Sequence, residues 1–193
     1  MADGISGLAR LGPSLAILGA LSFSILWPLA AVATGDWVLG RDTLSELGGK
    51  ENHAAPIFSG GCALAGACLV VFGLALRERV PASRRSAPIL IFAAIGLAMV
   101  GVWNITMSPW HMIATVWFFG PVAVGLAVMA FDFLRAKVMR ASAWAAVAGI
   151  TVSFVSAVVA TVPFTEAVAV AAVIAWGFVA GTEMLAEPTA ERR

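Results

Sequence analysis

Six apolar stretches follow one another along the chain and constrain its fold more than any other feature. A helix needs about 20 residues to cross the hydrocarbon core of a bilayer, and these stretches lack the alternation of apolar and polar residues found in barrel strands. Because 61% of all residues are hydrophobic and only 12% are charged, the composition lies outside that of soluble domains. The sequence therefore predicts an all-α polytopic membrane protein, with six transmembrane helices in one bundle. The predicted spans are 12–33, 54–76, 87–107, 111–133, 141–162 and 164–183.

No internal repeat or low-complexity linker divides the chain, so residues 1–193 are predicted to form a single six-helix domain. The tail over residues 183–193 is expected to be an exposed end. A net charge of +1 and the lack of a nucleic-acid motif give no reason to expect nucleic acid as a partner. Membrane lipids are the expected partners. The sequence requires no cofactor and leaves the oligomeric state open.

Basic residues are distributed unequally over the loops between the predicted spans. Of the twelve Lys and Arg residues, ten lie on the side of both termini, and only Arg41 and Lys50 lie on the other. Short loops rich in Lys and Arg stay in the cytoplasm. The sequence therefore predicts a multi-pass protein of the cell membrane, with both termini cytoplasmic and the 34–53 loop outside.

The 34–53 loop is the one connection on the predicted outer side with enough residues to cover the bundle. Its residues 43–46 match a capping box, in which the Thr43 hydroxyl oxygen accepts from the Glu46 N–H and the Glu46 carboxylate accepts from the Thr43 N–H. A Gly-Gly pair at 48–49 is expected to end this short helix. We therefore expect an ordered outer cap, and the sequence leaves open whether it closes over a site.

Polar residues collect at the predicted outer ends of the spans, and Glu166 at the start of the sixth span shares this level. A polar level above an apolar bundle suits a lipid or an amphipathic small molecule, whose head lies above its chain. Binding of such a molecule without catalysis is the favoured function. The candidate ligand-binding residues are Ser45, Glu46, His53, Asn104, Trp110 and His111.

Both histidines, His53 and His111, open a predicted span from the outer side. Imidazole is a zinc ligand, so both are candidate metal ligands, although no pair at His-x-x-His or His-x-x-x-His spacing supports a site. A membrane hydrolase or transferase using His111 with Glu46 or Asp42, with or without a metal, is the alternative function. A transporter for a neutral solute is the third. The structural interpretation of His111 is a hydrogen bond to Glu46 or to a backbone carbonyl.

Four short motifs lie in the first four spans and their connections. They are Ser45-Glu46-Leu47-Gly48, Ile57-Phe58 before a glycine-rich stretch, His111-Met112-Ile113-Ala114 and Phe118-Phe119-Gly120. In order and spacing these motifs resemble the DUF998 family of six-helix membrane proteins, which occurs largely in archaea and bacteria. The resemblance implies a prokaryotic six-helix protein and no mechanism, because the family has no established activity. By resemblance, Ser45, Glu46, Gly48 and His111 fall on motif positions, and His53 does not.

Overall fold

A computed structural model describes residues 7–49 and 52–186 of the protein. Its α-helices are α1 (Gly7–Thr34), α2 (Ala55–Arg79), α3 (Ser86–Val102), α4 (Trp110–Ala136), α5 (Arg140–Val159) and α6 (Val162–Ala186). Short 3-10 helices occupy Leu44–Gly48, Pro81–Ser83 and Ile105–Met107. The described ranges contain no β-strand, so the prediction of an all-α protein is confirmed.

Five of the described helices are long and apolar enough to cross a membrane, namely α1, α2, α4, α5 and α6. The apolar α3 has 17 residues, which corresponds to about 26 Å of helix and falls short of a hydrocarbon core of about 30 Å. The predicted third span, 87–107, was therefore too long at its end. The helix stops at Val102 because Asn104 begins a separate turn, in which its side chain accepts from the Thr106 N–H at 3.1 Å.

The helices form a ring in which each packs against the next along the chain, and α6 closes the ring against α1. Short connections make successive helices antiparallel, so their ends meet at two levels. We call the connection between α1 and α2, residues 35–54, the cap, and its end of the bundle the cap end. The opposite end holds the α2–α3 and α4–α5 connections, and we call it the basic end because residues 77–85 and 135–140 carry seven of the twelve basic residues.

Glycines let α2 approach the helices on both of its sides. A Cβ atom added at Gly66 would lie 2.7 Å from the Ala98 nitrogen of α3, and one at Gly61 would lie 3.3 Å from the Leu26 Cβ of α1. Such close approach is the usual role of small residues between membrane helices. Gly61 and Gly66 therefore serve helix packing.

Large apolar side chains cover the outside of α5 and the start of α6. Phe154, Val158 and Val159 are 71%, 70% and 77% exposed. Apolar surface of this extent is stable where lipid rather than water is the solvent. The bundle is that of a membrane-embedded protein. The helix α6 continues to Ala186, which corrects the prediction that an exposed tail begins at 183; residues 187–193 of that tail lie outside the described ranges.

Candidate functional site

An apolar cavity lies inside the ring of helices and ends beneath the cap. Its walls come from α1, α2, α3, α4, α6 and the cap, whereas α5 contributes nothing. The space that these walls enclose has a volume of about 50 Å³. The cavity is therefore a narrow slot rather than a wide chamber.

The cavity is polar at one end only. Phe23, Phe58, Phe118 and other apolar side chains form most of its wall. Apart from the thiol of Cys62, its polar side chains are Ser45, Thr115 and Glu166. All three lie in the cap or near the cap ends of α4 and α6, so apart from the Cys62 thiol the remainder of the slot is lined by apolar side chains.

Glu166 closes the slot at the cap. Its Oε2 accepts a hydrogen bond from the Leu44 N–H at 3.0 Å, and its Oε1 accepts one from the Ser45 hydroxyl at 2.8 Å. These bonds join α6 to the start of the short cap helix, Leu44–Gly48. The sequence placed Glu166 at the level of the other polar residues but did not make it a site candidate. The signal that could have identified it is a carboxylate next to a long stretch without charged residues.

His111 is buried in the first turn of α4, where its Nδ1 lies 2.7 Å from the Trp103 carbonyl oxygen. Because a carbonyl oxygen only accepts, Nδ1 must carry the proton. The Thr115 hydroxyl donates to the His111 carbonyl oxygen at 2.9 Å. His111 thus holds the α3–α4 connection through a backbone carbonyl, one of the two structural roles expected from the sequence.

A second, open groove lies on the surface of the cap and contains Asp42, Glu46 and His53 together with Asp36 and Asn52. His111 does not line this groove, and Ser45 faces the inner slot instead. The residues that the sequence grouped at one polar level therefore do not form one site: Ser45 lines the slot, whereas Asp42, Glu46 and His53 line the groove. The exposed groove holds most of the charge, and the buried slot holds the carboxylate of Glu166.

Thr43 and Glu46 take the arrangement of a capping box, although its two halves are unequal. The Glu46 carboxylate accepts from the Thr43 N–H at 2.7 Å, as predicted. The Glu46 N–H donates to the Thr43 carbonyl oxygen at 3.2 Å, and the buried Thr43 hydroxyl oxygen has no hydrogen-bond partner of good geometry. The predicted bond to the Thr43 hydroxyl is thus replaced by a turn bond along the backbone. The helix ends at Gly48, with Gly49 as its C-cap.

Asp42 is occupied within the cap. The Arg41 guanidinium contacts both of its carboxylate oxygens, and the Val38 N–H donates to its Oδ2 at 2.7 Å. Arg41 first, and then the Val38 N–H, hold the pKa of Asp42 below its usual value. The Asp42 carboxylate therefore organises the turn that precedes the cap helix.

Two further candidates, Asn104 and Trp110, line neither the slot nor the groove. The Asn104 side chain accepts from the Thr106 N–H and hydroxyl, and the half-exposed Trp110 packs its ring 5.7 Å from that of Trp103. Within the described residues, no three His, Cys, Asp or Glu side chains are grouped so as to hold a metal.

A family profile described as "Protein of unknown function (DUF998)" matches residues 17–185, which include parts of all six helices. The chain belongs to the DUF998 family. The resemblance carried by the short motifs of the first four spans is thereby confirmed. Searches of the curated proteins and of the solved structures gave no match.

Proposed function

We propose that this protein binds a single-chain amphiphile of the membrane, with the chain in the central slot and the polar end beside Glu166. The shape and polarity of the slot carry the proposal. A wall of carbon that ends at one carboxylate and two hydroxyls complements a molecule with one apolar chain and one polar end. The slot is narrow, so side chains of its wall would have to move apart to admit one chain, and a second chain would not fit.

The length of the slot supports the same ligand class. From Glu166 to Gly177 the lining follows α6 for about 16 Å at the helical rise of 1.5 Å per residue. One leaflet of a bilayer contributes about 15 Å of hydrocarbon. A chain that starts at the cap would thus reach about the middle of the membrane, as the chains of one leaflet do.

A groove on the outside of the bundle offers a route from the lipid to the slot. It lies between α4 and the pair α5 and α6, and its wall includes Gly149 and Phe154. Phe119 and Val173 line both this groove and the central slot, so they form the partition between them. Displacement of these two side chains would admit a chain sideways from the bilayer.

The proposal places the cap in the outer leaflet of the cell membrane and both termini in the cytoplasm. Its support is the basic residues, ten of twelve on the side of the termini, since short loops rich in them remain in the cytoplasm. The hydrolase and transporter alternatives stay predictions, and no contact among the described residues favours either.

Two leucine variants test the occupancy of the slot. Gly177 lines it, and a Cβ atom there would lie 4.0 Å from Ala20 Cβ and Leu69 Cδ2, so Gly177→Leu should fill the space without an initial clash at Cβ. Gly120 has no atom within 4 Å of an added Cβ, so Gly120→Leu is a matched control on the exposed surface.

We expect native mass spectrometry to find single-chain amphiphiles retained by the wild type and by Gly120→Leu, and to find them lost from Gly177→Leu. Melting temperatures in the same detergent establish that both variants are folded. Equal retention by a folded Gly177→Leu variant and by the wild type would contradict the proposal.

A further inference from the structure

We infer that the head of the bound amphiphile is a protonated amine. This inference rests on the proposed function and adds the chemistry of the head to it. It follows from the hydrogen bonds that the polar groups at the cap end of the slot already donate within the protein.

The two hydroxyls of the slot have both committed their protons to the protein. The Ser45 hydroxyl donates to Glu166 Oε1 at 2.8 Å, and the Thr115 hydroxyl donates to the His111 carbonyl oxygen at 2.9 Å. Each oxygen therefore has only lone pairs left to offer. The Cys62 thiol is a weak donor.

The carboxylate of Glu166 also presents lone pairs. Both of its oxygens accept hydrogen bonds, from the Leu44 N–H and the Ser45 hydroxyl, which is the pattern of an ionised carboxylate. An ionised carboxylate has room for about four hydrogen bonds. The polar end of the slot is thus a group of acceptors that contains one negative charge.

Neither ion pair found in the described ranges involves Glu166; they join Arg41 to Asp42 and Arg85 to Asp132. A partly buried charge is costly unless a counter-charge or several hydrogen bonds compensate it. A cation in the slot would supply that counter-charge in a medium where charges interact strongly.

An ammonium group fits this end better than other common heads. Its three N–H donors match the oxygens of Glu166, Ser45 and Thr115, and its bond to the carboxylate is charge-assisted. A hydroxyl head has a single donor. A carboxylate, phosphate or sulfate head has only acceptors, so it would bring like charge and unmatched lone pairs against Glu166.

Four probes that share the same alkyl chain distinguish the effect of the head's charge from the effect of its hydrogen bonds. They are dodecylamine, dodecyltrimethylammonium, dodecanol and dodecanoate. The protein is held in phosphatidylcholine nanodiscs, and empty nanodiscs correct for partition into the lipid. We expect dodecylamine to bind at least about tenfold more tightly than dodecanoate, with dodecyltrimethylammonium and dodecanol between them.

Glu166→Gln should remove most of this preference, because it removes the charge and keeps the shape. Glu183→Gln is the matched control: Glu183 also lies on α6 and accepts from two backbone N–H groups and a serine hydroxyl, those of Ala141 and Ser142 on α5, but it does not line the slot. The control should keep the wild-type order of the four probes.

The possible results separate the two proposals. Equal binding of all four probes to the wild type, or tightest binding of dodecanoate, would overturn the amine inference and leave chain binding intact. Failure of every probe to bind would overturn the proposed function itself. Should Glu166→Gln fail to fold, as its melting curve would reveal, the order of the four probes on the wild type still decides.

Discussion

Two glutamates near opposite ends of α6 make the same kind of contact in different settings. At the cap end, Glu166 accepts from the Leu44 N–H and the Ser45 hydroxyl. At the basic end, Glu183 accepts from the N–H groups of Ala141 and Ser142 and from the Ser142 hydroxyl. Each carboxylate satisfies free N–H groups at the start of another helix.

The two settings differ in what lies beside the carboxylate. Glu166 lines an internal slot, whereas Glu183 joins α6 to the start of α5 and does not line that slot. Close to Glu183, the Arg79 guanidinium donates to the Met184 carbonyl oxygen at 3.4 Å. Accepting hydrogen bonds from the first N–H groups of a helix is thus a structural role that both glutamates perform. A ligand site additionally needs the empty space that only Glu166 faces.

The largest expected effect is an all-or-none difference in labelling between the two ends. Leu39→Cys at the cap end should react with an impermeant thiol reagent in intact cells, and Arg84→Cys at the basic end should not, because the basic end is predicted to be cytoplasmic. Both positions are exposed, and the native Cys62 and Cys68 are buried. Labelling at position 84 but not at position 39 would show that the topology is the reverse of the predicted one and that the slot lies in the inner leaflet.

Removal of either carboxylate should destabilise the protein to a similar extent. Glu166→Ala and Glu183→Ala each leave a helix start and a serine hydroxyl without an acceptor, which should cost about 3 kcal/mol in the free energy of unfolding. Denaturant unfolding in detergent measures this cost. Amide exchange sharpens the comparison, since residues 44–48 should exchange faster only in Glu166→Ala. A Glu166→Ala variant with wild-type stability and exchange would show that the cap does not depend on this residue.

A smaller effect is expected within the cap helix. Because the Glu46 carboxylate bonds the Thr43 N–H whereas the Thr43 hydroxyl lacks a partner, Glu46→Ala should cost about 1 kcal/mol and Thr43→Ala clearly less. The same unfolding measurement compares the two variants. The reverse order would mean that the hydroxyl half of the capping box forms in solution.

The smallest effect concerns pH at the surface of the cap. The pKa of Asp42 is lowered in the folded protein by Arg41 and the Val38 N–H, so its contribution to stability is present above its usual pKa of 3.8 and is lost as the pH falls through the lowered value. Asp42→Asn should therefore be less stable than the wild type at about pH 6, and the gap should narrow towards about pH 3. A gap in melting temperature that stays constant over this range would contradict the ion pair.

The amino-acid sequence by itself determined the number and order of the apolar helices, the level of the polar groups and the family. These features are local, because hydropathy over about 20 residues specifies a span and short motifs specify the resemblance. The end of α3 at Val102 was not determined in this way. It depends on the turn at Asn104, which interrupts a stretch whose composition remains apolar.

Only the tertiary structure decided which polar groups meet. Residues at one level can face the slot, the surface or a neighbouring helix, and hydropathy does not specify how each helix is rotated in the ring. Closure of the ring by α6 against α1 brings Glu166 to Ser45, while the turn at Asp42 leaves Glu46 and His53 in the open groove. The His111 hydrogen bond to Trp103 likewise depends on how the α3–α4 connection folds back over α4. Contacts between distant parts of the chain arise from packing, which places Glu166 and Ser45 at the slot and leaves Glu46 and His53 outside it.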